Sequence, residues 1–532
     1  MPKPAPIAKI LATADKARAA KDWHLAQSAY QDVLDRFPGN SRAKKGLDAV
    51  KSDAMPELFK IARSAKDTRK WNQAERALTL AVALAPEVLP IKLALAESQL
   101  ERRQLPAALA TIDHVLELAP NDHNAKILRG RALHALGQGA AAEDCFLAAL
   151  GHESTDAAVL NHLGVLARAQ GDKSKSETYF RRAIALEPET LGFHSNFSKA
   201  ITYTKDEPHL KAMINLAASI DPADIKAAPL YFALYKAMED LGDFPAAFKY
   251  LEVANRLTKA AIGYEFEKDA VNYGLAKALF KERIEPIKGE HTFRPIFVTG
   301  LPRSGTTLVE RILSRGQGVQ PCGELSVVQT EVLRLIDKVK ARGELKLTTD
   351  DIAELGAALR EALAKYSDGS PIIIDKMPLN FRWIGFLCAA LPEAKIVHTH
   401  RDLIPVAWSL YSHAFDGIGN GFIYDFFDIA RFMVIYRDLM AHWHSCYPNQ
   451  IFDLDYQKLV DDPVSVTRAL AEATDLEWST DWLSPEQAVN HVLTASADQV
   501  RKPIYRNSGE KWKKYEEEFR PMTELLKSAK LI

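Results

Sequence analysis

The stretch IFVTGLPRSGTTLVERIL, Ile296 to Leu313, decides how the second half of this 532-residue chain folds. RPIFVTG is a short β-branched and aromatic run closing on glycine, and TLVERILSR carries apolar residues at helical spacing. Gly300 to Thr307 is therefore predicted to lie on a strand-to-helix turn. The turn has the spacing of a G-x-x-x-x-G-K-[ST] phosphate loop, but Thr306 stands where that loop needs lysine. In an ATPase the lysine neutralises charge developing across the β and γ phosphates, and the next hydroxyl holds magnesium. Without it, transfer of a polyanionic γ-phosphoryl group is poorly served.

A less charged group needs less. Backbone N–H groups at the helix N-terminus, the hydroxyls of Ser304, Thr306 and Thr307 and the cation Arg303 suffice for a sulfuryl group, so the loop reads as built for phosphosulfate. Further along, PIIIDK and KIVHTH are buried-strand candidates, each followed by helical text, as in an α/β domain with a parallel sheet. All three strands place polar residues at their carboxyl ends, where such sheets bind ligands.

The first half reads differently. To about residue 260, alanine, leucine and charged residues recur at helical spacing, and Pro86, Pro120, Pro188 and Pro222 mark a period of 34 residues, with Ser154 in the missing place. The tetratricopeptide pattern laid on this register is met at independent columns. Its small first-helix residue falls on Ala14, Ala62, Ala96, Gly130 and Gly164, its second-helix alanine on Ala26, Ala74, Ala108 and Ala142, and its large apolar residue on Tyr30, Leu78, Ile112, Phe146 and Phe180. Repeats are expected at 7–40, 55–88, 89–122, 123–156, 157–190 and 191–224, with RAKKGLDAVKSDAM as an extra helical segment and a degenerate last unit from Tyr231 to Leu257. Stacked repeats form a superhelix with a concave groove suited to a peptide or protein partner. The ordinary alternative is that the solenoid shields or assembles the second domain, for instance in a homodimer.

Composition narrows the function classes. With 68 Lys+Arg against 69 Asp+Glu the net charge is −1, so no global field favours nucleic acid or an anionic membrane. Cys145, Cys322, Cys388 and Cys446 lack C-x-x-C spacing, which argues against a disulfide framework or thiolate zinc site. His398 and His400 alternate on one strand, and His442 and His444 flank Trp443, but no carboxylate or cysteine spacing accompanies them, so no metal is expected. The first residues lack the apolar core of a signal peptide and no 18-residue apolar run occurs, so the expectation is a cytoplasmic protein.

PRSGTT after a strand resembles the 5′-phosphosulfate loop of the sulfotransferase family, which uses 3′-phosphoadenosine 5′-phosphosulfate (PAPS). The family's second hallmark is a strand ending in arginine with a serine eight residues on; IVHTHRDLIPVAWSLYSH supplies Arg401 and Ser409 at that spacing. Within the family the likeness is to protein-tyrosine sulfotransferases, over roughly residues 290 to 515. It is carried by CGE (Cys322 to Glu324), DKMPLNF with Lys376, and SADQVRKPIYRNSGEKW, where Ser496, Gln499, Val500, Lys502, Pro503, Lys511 and Trp512 match. The chain departs from those enzymes in its repeats, in CGELSVVQ lacking an arginine after the glutamate, and in His413 standing where they carry arginine, and it is expected to lack their membrane anchor.

The resemblance implies a tetratricopeptide solenoid (1–262), a helical connection (263–290) and a P-loop-like α/β sulfotransferase domain with a central parallel sheet (291–532). It implies Glu324 as general base, with Lys376 and Ser496 stabilising charge on the sulfuryl and bridging oxygens. Arg303, Ser304, Gly305, Thr306 and Thr307 would hold the 5′ side, and Arg401, Ser409 and Lys502 the 3′-phosphate, with His413, Tyr456, Gln499, Val500 and Lys511 completing the nucleotide site. No metal is required. The expected acceptor is a tyrosine of a peptide or protein recruited by the groove; a carbohydrate or small phenol, or a nucleotide-binding scaffold without transfer activity, are the alternatives. Each residue also has a structural reading: Glu324 as a helix N-terminal carboxylate, Lys376 as a solvated strand-end lysine, Ser496 as a turn cap, Ser409 bonding back to a helical carbonyl, and Cys322 as a small buried hydrophobe.

Overall fold

Residues 6–67, 70–151, 155–287, 289–414, 419–487 and 510–532 are described by a computed structural model. The chain divides into two compact units, Met1–Gly151 and His152–Ile532. The first is all helical: antiparallel pairs Ile7–Ala19 with Trp23–Arg36, Leu89–Glu101 with Leu105–Leu118 and His123–Ala135 with Gly139–Leu150 follow the predicted repeats. The extra segment RAKKGLDAVKSDAM is not a separate helix. It runs unbroken into the first helix of the next repeat, giving Ser41–Asp67, which pairs with Trp71–Leu84 and tolerates Pro56 in its interior.

Glycines permit the closest helix contacts. A Cβ built on Gly130 would lie 2.6 Å from the Phe146 ring, one on Gly164 would lie 2.7 Å from Phe180, and one on Gly46 would lie 2.3 Å from Tyr30. The small and aromatic columns of the repeat are thus the two sides of one contact. Burying each ring contributes roughly 1.5–3 kcal/mol. Aspartates close the helix starts: Asp22, Asp122, Asp156, Asp172 and Asp243 each accept from a backbone N–H three residues on.

Gly164→Ala is therefore expected to destabilise despite the better helix propensity of alanine, by about 1–2 kcal/mol once overpacking is set against propensity. Gly164→Ala with Phe180→Leu should recover most of the loss. Thermal unfolding of the full chain followed by circular dichroism reads both, and an unchanged midpoint in the single variant would show that the helices separate freely.

In the second unit the repeats continue with Ala157–Gln170, Lys173–Leu186 and Leu191–Ser198, but the last of these stops after two turns. The chain then loops over to Pro208–Ser219, held by Tyr203 N–H donating to Asp240 at 2.8 Å and by Lys236 Nζ donating to the Ile201 carbonyl at 2.5 Å. Beneath this break His194 and His209 share a hydrogen bond of 2.9 Å, and burial pushes His209 down to about 3. Helices Ala228–Leu241, Phe244–Ile262 and Phe266–Leu279 follow.

Strands β1 (Arg294–Gly300), β2 (Val319–Pro321), β3 (Ile372–Lys376), β4 (Lys395–His400) and β5 (Ile451–Asp455) form one parallel sheet in the order β2-β3-β1-β4-β5. Ile296 and Val298 pack with Leu308, Ile312, Leu470 and Trp482 on one face. Phe297 faces the other way, into a core shared with Phe381, Phe432 and Trp443 and with Leu251 and Ala254 of the late repeat helices. Both faces are covered, as a parallel sheet requires. Repeat helices and sheet are further joined by Asn255 Nδ2 donating to the Tyr411 carbonyl at 2.9 Å and by Lys259 paired with Asp428 at 2.7 Å. The second half of the solenoid is thus built into the compact unit that holds the sheet. Among the described residues no helix is long and apolar enough to cross a membrane.

Candidate active site

Because the chain leaves β3 for β4 on the far side of β1, the carboxyl ends of these three strands form the switch point where ligands bind such sheets. The loop after β1 has positive φ at Gly300 (148°), Arg303 (73°) and Gly305 (107°). A Cβ on Gly300 would lie 2.2 Å from the Thr399 carbonyl, and one on Gly305 would lie 2.3 Å from the Tyr456 ring, so both positions need glycine on two counts. The loop delivers Thr306 and Thr307, both buried, to the N-terminus of the helix Thr306–Leu313. Ser304 is buried and lies 2.7 Å from Thr399 Oγ1, which ties the loop to β4 two residues before Arg401.

The loop and the strand-end motif meet here. Arg303 Nε donates to Ser409 Oγ at 2.8 Å, so this guanidinium reaches the strand-end motif. The Arg401 guanidinium lies 4.3 Å from the centre of the Tyr456 ring, and the same ring lies against Gly305. One aromatic plate thus spaces Arg401 from the loop. His413 is partly buried; burial first, then the charges of Arg303, Lys511 and Lys199, hold its imidazole well below the ordinary histidine range. A neutral imidazole among three cations marks a pole suited to a multivalent anion. Lys511 lies 3.9 Å from Glu239, and Trp512 packs against the main core.

Glu324 and Lys376 are brought together by backbone pairing. The Cys322 N–H donates to the Ile374 carbonyl at 2.9 Å and the Lys376 N–H to the Gly323 carbonyl at 2.9 Å, so CGE prolongs the pairing of β2 with β3. Lys376 Nζ then donates to Glu324 Oε1 at 2.6 Å. Lys376 is fully buried, against the solvated reading, while Glu324 keeps partial access to solvent. Behind them Glu310 Oε2 lies 4.0 Å from Lys376 Nζ, and its Oε1 accepts the Gly323 N–H at 3.1 Å. Burial raises the Glu310 pKa, the Lys376 ammonium opposing it. Burial likewise pushes neighbouring Asp375 up to about 7, although it accepts from Leu325 N–H and Asn380 Nδ2. Cys322 is pushed up to about 12 by burial, which suits a packed thiol rather than a nucleophile.

Of the residues expected from sequence, Ser496, Gln499, Val500, Lys502 and Pro503 lie outside the described residues. Sequence reasoning missed Glu310, Asp375, Lys199 and Glu239. Glu310 and Asp375 read as ordinary polar positions of a helix and a strand, and the other two lie in repeat text whose period carries no sign of a ligand.

Residues 295–480 match the model described as "Sulfotransferase family", and residues 157–190 match that of the tetratricopeptide repeat. An uncharacterized protein of Aquifex aeolicus (strain VF5) is 29% identical over 94% of this chain and 67% of its own length. Protein-tyrosine sulfotransferase 1 of Danio rerio is 24% identical over 41% of this chain; the match spans 65% of that enzyme, just under two thirds of its length. The sulfotransferase domain of the Synechococcus PCC 7002 olefin synthase aligns at 16% identity and a TM-score of 0.29, over 44% of this chain and 91% of that domain. The chain therefore joins tetratricopeptide repeats to a C-terminal sulfotransferase-family domain distantly similar to protein-tyrosine sulfotransferases.

Proposed function

We propose that the chain is a PAPS-dependent O-sulfotransferase acting on a tyrosine of a peptide or protein that its repeats recruit. The observation that carries this is the meeting of the lysine-free loop with the strand-end motif through Arg303 and Ser409. Lysine-free amides and hydroxyls suit a 5′-phosphosulfate, and a guanidinium–hydroxyl pair beside Arg401 suits a 3′-phosphate. Gly300 and Gly305 let the loop pack directly against Thr399 and Tyr456, which holds its amides and hydroxyls beside the strand-end motif.

PAPS supplies the sulfuryl group. Glu324 takes the proton of the acceptor hydroxyl as its oxygen bonds to sulfur and the bond from sulfur to the bridging 5′ oxygen breaks. The electron pair left on that oxygen is stabilised by Lys376, which leaves Glu324 for it, and by the loop amides. Glu310 keeps the ammonium of Lys376 in the site while it moves. Ser496 and the late segment with Gln499, Val500 and Lys502 enter this reading through the family likeness alone.

Calorimetry with 3′-phosphoadenosine 5′-phosphate, AMP and ATP tests the nucleotide reading. Two charge-assisted hydrogen bonds to the 3′-phosphate give the bisphosphate an advantage over AMP of about 100-fold. Equal affinities would remove the reading. Transfer of labelled sulfate from PAPS into a cell extract, with mass spectrometry of the product, then tests the acceptor; label on carbohydrate alone would overturn the tyrosine assignment.

A further inference from the structure

His398 and His444, one from each histidine pair noted in the sequence, converge on Asp453. His398 and Asp453 are register partners on β4 and β5, and His444 reaches them from the helix Phe426–Cys446. His398 Nδ1 lies 2.6 Å from Asp453 Oδ1, and His444 Nε2 lies 3.2 Å from Oδ2. One ligand atom from each residue falls within 4.8 Å of the others. Sequence spacing hid the group because its carboxylate comes from a neighbouring strand.

We propose that these three side chains bind one divalent transition metal ion, Zn2+ foremost. Two imidazoles and a carboxylate form the donor set of a zinc site that keeps one open position, and the solvent-facing side of Asp453 leaves room there for water. The separations are those of groups held by hydrogen bonds; ligands about 2.1 Å from one tetrahedral ion stand about 3.4 Å apart, so the solvent-facing Asp453 carboxylate must turn slightly away from His398 Nδ1 to admit the ion. The other nitrogen of His398 is already oriented: Nε2 lies 2.5 Å from the Tyr436 hydroxyl. In the metal-free triad Nδ1–H donates to Asp453 and Tyr436 donates to Nε2. With metal bound, the imidazole proton sits on Nε2 and donates to the Tyr436 oxygen, leaving the Nδ1 lone pair for the ion.

The ion would pin the edge strand β5 to β4 and to the helix over them. Asp453 lies three residues before Tyr456 and His398 three before Arg401, so the clamp sits directly below the stacked pair of the candidate active site. The inference does not depend on the sulfotransferase reading.

The test uses the full chain without a histidine tag, stripped with a chelator and titrated with Co2+. One equivalent should produce the visible absorption of a four- or five-coordinate nitrogen–oxygen site, displaced by Zn2+, and Zn2+ should raise the unfolding midpoint. His444→Ala and Asp453→Asn, both at solvent-accessible positions, should lose the absorption and the Zn2+ shift, while His442→Ala on the same helix keeps both. Tyr436→Phe should weaken Co2+ binding about tenfold or more. No visible absorption in the wild type, or identical absorption and Zn2+ shifts in His444→Ala, would mean an adventitious ion only and would overturn the site.

Discussion

Glu324→Gln is expected to lower kcat by ~10²–10⁴-fold, the range a positioned general base contributes. Its affinity for 3′-phosphoadenosine 5′-phosphate should stay within about fivefold of the wild type, a change of less than about 1 kcal/mol. The separation of the two effects follows from geometry. The carboxylate meets Lys376 through Oε1, and the amide oxygen of glutamine accepts the same hydrogen bond, so the ammonium stays in place. The contacts proposed to frame the nucleotide, Arg303 with Ser409 and Arg401 with Tyr456, involve neither residue. What is lost is the capacity to hold a proton from the acceptor. Calorimetry measures the affinity and transfer assays with PAPS measure the turnover. A variant that retained a tenth or more of wild-type turnover would place the base elsewhere; one that lost nucleotide binding would show that Glu324 shapes the donor site.

The strand-to-helix turn and the repeats were legible because each rests on short-range rules. Gly300 and Gly305 mark backbone that only glycine adopts comfortably, and the spacing from Arg401 to Ser409 is set by one strand end and one helix. The repeat columns were legible for a similar reason: Gly164 and Phe180 are two sides of a local helix pair. What the sequence concealed is non-local. RAKKGLDAVKSDAM reads as an insertion, yet nothing in it stops a helix, so it fuses with the repeat that follows. The truncation of the helix at Ser198 answers to Lys236 and Asp240, some 35 residues on, and brings Lys199 into electrostatic reach of His413. Likewise, nothing in TTLVERIL says that Glu310 turns inward, because its reason for burial is a lysine on another strand.

That lysine gives the second large effect. Lys376→Met should cost about 3–5 kcal/mol of stability, the usual consequence of removing one partner from a buried ion pair, and should reduce turnover by at least ~10²-fold. The fold loses because Glu310 is left buried without the ammonium that lies 4.0 Å from it, while it still accepts the Gly323 N–H. Burial already raises its pKa above 4.5 in the folded state, and loss of the ammonium removes the chief opposing influence. Stability carried by such a group is present at low pH, where Glu310 is neutral in both states, and is lost as pH rises through the folded-state pKa. The midpoint of Lys376→Met should therefore fall further below the wild type as pH rises above the ordinary carboxylate range. Lys376→Met with Glu310→Gln removes one stranded carboxylate, so the double variant should regain much of the stability and lose the part of the added pH dependence that Glu310 carries, buried Asp375 keeping the rest. Turnover should stay low in it, because the ammonium proposed to stabilise charge on the bridging oxygen is gone and the loop amides act alone. Thermal unfolding across pH and turnover assays on both variants separate the roles: recovery of transfer along with stability would show that Lys376 only fills and neutralises the core.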